Sequence, residues 1–156
     1  MRNCGRLPLS RSLCELLAET DGFDLVDEHG SYLRLYPASE IASSTIYHRN
    51  LWRDESGEAT WGDLISIARS DHTECEYGIR PPKVDSDESP LYEIWPEGWD
   101  TWQTDTPLAP TFGDWLAMIA DAIASGDHKR VHDTMWLGPY DEDESPPLSY
   151  RAAAAR

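Results

Sequence analysis

Thr111-Phe112-Gly113-Asp114-Trp115-Leu116-Ala117-Met118-Ile119-Ala120-Asp121-Ala122-Ile123-Ala124-Ser125-Gly126 carries the clearest apolar period in the chain. Phe112, Trp115, Leu116, Ile119, Ala120 and Ile123 fall at i, i+3, i+4, i+7, i+8 and i+11, which is one face of an amphipathic helix. Thr111 is placed to cap the first turn, with Asp114 three residues on as a variant of the capping box. Gly126 stands where a C-cap glycine belongs. Burying these side chains at roughly 1.5–3 kcal/mol each makes the helix a main contributor to a core.

Upstream of that helix the period changes to two. Leu91-Tyr92-Glu93-Ile94-Trp95 reads as a strand, and Leu64-Ile65-Ser66-Ile67-Ala68 with Glu76-Tyr77-Gly78-Ile79 reads as a hairpin turning through Asp71-His72-Thr73-Glu74. Pro81-Pro82 stops the hairpin, and Asp85 to Pro90 is a charged loop. Tyr32-Leu33-Arg34-Leu35-Tyr36 is a further strand ended by Pro37. Ala38 to Thr45 is expected to form a short helix, and the polar stretch Tyr47 to Thr60 a loop. Near the N-terminus, Leu9, Leu13, Leu16 and Leu17 lie at i, i+4, i+7 and i+8, the stripe of a short helix closed at Gly22. Helix, antiparallel strands, then helix gives an α+β fold, a single antiparallel-rich sheet flanked by helices. Residues 1–138 are expected to form one domain. Residues 139–156, with the run Asp141-Glu142-Asp143-Glu144-Ser145-Pro146-Pro147, are expected to form an acidic, proline-containing tail.

The chain has 156 residues, enough for one real core, and 40% of them are hydrophobic, which argues against wholesale disorder. Asp and Glu number 29 against 13 Lys and Arg, a net charge of −16. Such a chain is repelled by nucleic acid and anionic lipid and attracted to basic surfaces. The three cysteines, Cys4, Cys14 and Cys75, are spaced neither as a disulfide framework nor as a zinc site. Free thiols, and the lack of a signal-like or membrane-length apolar run, lead to an expected cytoplasmic location.

The familiar catalytic signatures are absent: no phosphate-cradling Gly-x-x-x-x-Gly-Lys, no Gly-x-Ser-x-Gly, no Gly-x-Gly-x-x-Gly and no His-Glu-x-x-His. His128 and His132 have i,i+4 spacing but follow Gly126 and read as surface residues, as do His72 and Cys75 in their turn. No cofactor, metal or catalytic residue is therefore expected. The most unusual segment is Trp95-Pro96-Glu97-Gly98-Trp99-Asp100-Thr101-Trp102. Trp95 is expected to end a strand and pack inward, while Trp99 and Trp102 either contact a partner, cover the edge of the core or stack on a sugar. From Asp71 to Asp105 there are ten acidic and two basic residues, a net of −8, half of the total.

The order of these landmarks resembles the SUKH superfamily, which groups many bacterial toxin-immunity proteins with a yeast cell-wall assembly regulator. Leu7-Pro8 leading to Thr20-Asp21-Gly22-Phe23 is similar to the family's opening. Tyr32 to Tyr36 with Glu40-Ile41, and Ile67-Ala68-Arg69-Ser70-Asp71 with Glu76-Tyr77-Gly78-Ile79, are similar to its strand and hairpin. Pro90-Leu91-Tyr92-Glu93 with Thr111 to Leu116 is similar to its close. The likeness covers Leu7 to Ile123. It departs from the family where His72-Thr73-Glu74-Cys75 replaces a glycine-rich turn, and where the helix that usually precedes Leu-Pro is not found. The resemblance implies a compact sheet flanked by helices, no shared catalytic residues, and neutralisation of a cognate toxin by direct binding. On that expectation the partner presents a basic surface, as a nuclease toxin would. The contacts are then Glu97, Trp99, Asp100 and Trp102, with Asp85, Asp87 and Glu88 as flanking charge. A regulatory scaffold is the alternative, and a small carbohydrate-active or hydrolytic enzyme using buried carboxylates a third.

Overall fold

The computed structural model describes residues 7–26, 32–51, 56, 62–70, 75–94 and 106–126, and the backbone of 151–154. Helix α1 spans Arg11–Thr20, strand β1 Phe23–Val26, strand β2 Tyr32–Leu35 and helix α2 Ala38–Leu51. Strands β3 (Ile65–Ser70), β4 (Glu76–Ile79) and β5 (Leu91–Ile94) follow, then helix α3 (Phe112–Ser125) and strand β6 (Arg151–Ala154). The architecture is α+β, with one sheet ordered β5-β4-β3-β2-β1-β6. Every neighbouring pair in it is antiparallel.

Helix α3 forms where its period places it. The Thr111 hydroxyl accepts from the Asp114 N–H at 3.0 Å, and Gly126 closes the helix in the left-handed region. Phe112, Trp115, Ile119 and Ala122 are buried, whereas Ala120, expected inward, faces solvent. They join Leu13 and Leu17 of α1 and Leu25, Leu33, Leu35, Ile65, Ala68, Tyr77, Ile79 and Leu91 of the sheet in one apolar cluster. Trp115 stacks obliquely on Tyr77, with ring centroids 4.8 Å apart.

Three elements go beyond the expected layout. Phe23–Val26 is a strand paired with β2 along its whole length. The backbone of Arg151–Ala154, within the expected tail, runs along β1 as the edge strand. Most consequentially, α2 continues through Tyr47 to Leu51, where a loop was expected.

At the α1–β1 junction the chain turns sharply. Asp21 and Gly22 both have positive φ, 47° and 91°. A Cβ on Gly22 would sit 2.7 Å from the Leu35 carbonyl oxygen and 2.7 Å from the Pro37 nitrogen, both backbone atoms. Gly22→Ala is therefore expected to lose about 1–3 kcal/mol, read as a lower urea midpoint with unchanged slope.

Candidate functional site

Adjacent residues of a strand point to opposite faces of a sheet. On β4, Tyr77 meets Trp115 of α3, so its neighbour Glu76 must project to the other face, where it meets His48 of α2. The sheet thus separates two chemically different layers. Its α1–α3 side is apolar apart from Glu93. Its α2 side sets a polar cluster around Glu76 beside a small apolar one of Leu64, Tyr92 and Ile94.

Glu76 is the centre of the polar layer and is only 3% exposed. The Tyr36 hydroxyl donates to its carboxylate, lying 3.0 and 3.1 Å from the two oxygens, and the Ser66 hydroxyl donates to Oε2 at 2.6 Å. His48 Nε2 lies 3.2 Å from Oε1. Burial and the neighbouring Glu76 carboxylate hold the Tyr36 hydroxyl far above a phenol's ordinary range, partly offset by a hydrogen bond with Ser44. A buried carboxylate is tolerable only when paired and hydrogen-bonded in this way.

Helix α2 is pinned to that layer. Ser66 N–H donates to the Thr45 hydroxyl at 3.0 Å, and the Arg49 guanidinium donates to the Leu64 carbonyl at 2.9 Å. Ile41, Thr45, His48 and Arg49, at i, i+4, i+7 and i+8, share one face of the helix, and most of that face is polar. The opposite face carries Ile46, Tyr47 and Leu51, which are 61%, 60% and 51% exposed. The second half of α2 is thus inverted relative to an ordinary surface helix, with polar groups toward the protein and apolar groups toward solvent. Among the described residues the only other large apolar side chain left exposed is Val84. Tyr47 packs its ring edge-on against His48 at 5.1 Å, which ties the outer face to the polar layer beneath.

A second acid, the half-buried Glu93, lies on the opposite face of the sheet from Glu76, because it pairs in register with Tyr77. Burial pushes its carboxyl up to about 7, and the Cys75 thiol, 3.8 Å away, partly opposes the shift. Burial and Glu93 in turn raise the Cys75 thiol far above its usual range, so this thiol is a poor nucleophile. Glu76 and Glu93 cannot act as a carboxylate pair on one substrate across the sheet. The raised Glu93 carboxyl has a definite consequence. The folded state holds its proton more tightly than the unfolded chain, so stability is fully present below the ordinary carboxyl range and falls as pH rises toward and past 7. Glu93→Gln is expected to remove that fall, raising the Tm at pH 8 relative to wild type while changing it little at pH 4.

The sequence-derived contact residues have different fates. Glu97, Trp99, Asp100 and Trp102 lie outside the described residues, as do His72, His128, His132 and the Asp141–Pro147 run. Asp85 is exposed on the loop after β4. Asp87 pairs with Arg11 at 2.8 Å, both side chains being more than half exposed. Glu88 accepts from the Ser12 N–H at 3.0 Å and the Ser12 hydroxyl at 2.6 Å. An acid accepting first-turn N–H groups stabilises a helix N-terminus, so Glu88 braces α1. With Glu76 buried, Glu93 half-buried and Glu88 so engaged, the acidic stretch offers less open charge than its sequence count implies.

Among the described residues no three His, Cys, Asp or Glu side chains converge as a metal site. None of the described helices is long and apolar enough to cross a membrane. Comparison with protein-family models, with curated proteins and with solved structures found no match for this chain.

Proposed function

We propose that this protein works by binding another protein, and that it is an immunity protein holding a bacterial polymorphic toxin inactive in a stoichiometric complex. The observation that carries the binding reading is the inverted α2. A helix fastened inward by His48, Thr45 and Arg49 presents Ile46, Tyr47 and Leu51 outward on a rigid support. Exposed apolar residues on a fixed element are what a partner's hot spot fits, since little conformational freedom is lost on docking. The net charge of −16 favours a basic partner and speeds encounter with it. The toxin-neutralising part of the reading rests on the SUKH-like order of Leu7-Pro8, Tyr32 to Tyr36, Glu76 to Ile79 and Thr111 to Leu116.

The test has two steps. Affinity capture from the native cell, washed at low and high salt, is expected to yield one dominant basic protein near equal stoichiometry. That protein, expressed alone, is expected to stop growth, and co-expression of this chain to restore it. A stoichiometric partner that is harmless alone would instead mark a regulatory scaffold.

A further inference from the structure

Along α2 the outward residues change size in one direction. The first half of the face offers Ser39, Ala42 and Ser43, and the second half Ile46, Tyr47 and Leu51, all of them exposed. Ser39, Ser43 and Ile46 stand at i, i+4 and i+7, the spacing of a seam on which a second helix lies. The helix has 14 residues, about 21 Å of length, so the thin and the thick half are each about two turns long. The same face is uncharged. The charged or chargeable residues of α2 are Glu40, His48 and Arg49. Arg34 takes Glu40 at 3.2 Å, His48 turns to Glu76, and the Arg49 guanidinium turns to the Leu64 carbonyl. A chain with a net charge of −16 thus presents here a surface on which its own copy meets less repulsion than on an acidic one.

A face that is thin at one end and thick at the other is complementary to itself. A two-fold axis perpendicular to the helix makes the two copies of α2 antiparallel, so the thick half of each lies on the thin half of the other. With the axis between Ser44 and Thr45, Ser43 of one copy meets Ile46 of the second, and the two Ser43 side chains approach each other across the axis. A parallel pair would set thick against thick and hold the thin halves apart. We propose that the free protein pairs with a second copy of itself through the outward face of α2, antiparallel about a two-fold axis. The inference rests on the reading of that face as a docking surface and adds its regulation: the second copy covers Ile46 and Tyr47, and the protein partner must displace it. One short helix on another is a small contact, so the dimer is weak and reversible.

The experiment is sedimentation equilibrium of the full chain over a wide concentration range, at low and at high sodium chloride. The mass is expected to rise from that of one chain toward that of two, and at lower concentration in high salt. Salt screens the repulsion between like-charged copies, whereas it weakens a complex with a basic partner, so the sign separates the two associations. Ser43→Glu and Ser43→Lys each place like charges against each other across the axis, and each should raise the dimer's dissociation constant about tenfold or more. Ser43 is exposed, so both variants should keep the wild-type Tm. An equimolar mixture of the two should pair again. A single-chain mass at every concentration in both salts overturns the inference. So does a dimer that salt loosens, or one that neither Ser43 variant weakens with its Tm intact. Partner affinity, measured at dilutions where the chain is single, is untouched by any of these results, so the docking reading stands or falls separately.

Discussion

Replacing Glu76 by alanine is expected to lower stability by about 3–5 kcal/mol, the range for removing one member of a buried, hydrogen-bonded charged set. The loss comes less from the missing carboxylate than from what it leaves behind. The buried Tyr36 and Ser66 hydroxyls and the His48 imidazole would each lose the carboxylate they share. Each unsatisfied buried polar group costs roughly 1–3 kcal/mol. Glu76→Gln should cost much less, because the amide oxygen still accepts and the shape is kept. Tyr36→Phe added to Glu76→Ala should cost less than the sum of the singles, since the second change removes a hydroxyl that has already lost its Glu76 acceptor. Urea denaturation at pH 7 measures all three. A Glu76→Ala cost below about 1 kcal/mol would mean that the cluster does not hold α2.

The second large effect is expected at Trp115. This side chain is almost wholly enclosed, against Tyr77 on one side and Phe112 on another. Trp115→Ala should lose about 3–5 kcal/mol, the sum of lost transfer energy and the cavity left. Its indole Nε1 is buried with no acceptor among the described residues. Trp115→Phe therefore removes an unsatisfied donor along with some area, and should cost clearly less than other truncations of similar size. A Tm series over wild type, Trp115→Phe and Trp115→Ala reads both effects. Equal losses for the two variants would show that the indole nitrogen is satisfied.

Much of this fold is written in the sequence in apolar letters. The stripes of α1 and α3, the alternation in β2 and β5, and the hairpin β3–β4 are visible because their buried faces are hydrophobic. The inward spacing of α2 is also present, as Ile41, Thr45, His48 and Arg49. It escapes a hydrophobic-period reading because three of those four are polar, and the apolar residues between them face outward. What satisfies Thr45 and His48 is Ser66 and Glu76, residues 21 and 28 positions later in the chain. Nothing local announces them. The same holds for Glu76 itself, which sits in a run of acids and reads as surface charge until the sheet register turns it inward. Strand β1 is only four residues long, too short for its Phe23 and Val26 to show a sustained alternation, and β6 is mostly alanine, without a β-branched or aromatic residue. The contact residues expected from the tryptophan-rich segment, Glu97, Trp99, Asp100 and Trp102, rest on composition alone.

If a partner docks on the outward face of α2, as proposed, changes to that face weaken the complex without unfolding the protein. The affinity of the captured partner is compared between wild type and Tyr47→Asp/Leu51→Asp, with the Tm of each recorded. Both side chains are already more than half exposed, so the double variant should keep its Tm within a few degrees. Its affinity should fall roughly 30-fold or more, the loss of at least one hot spot of about 2 kcal/mol. Unchanged affinity with unchanged Tm would move the docking surface off α2.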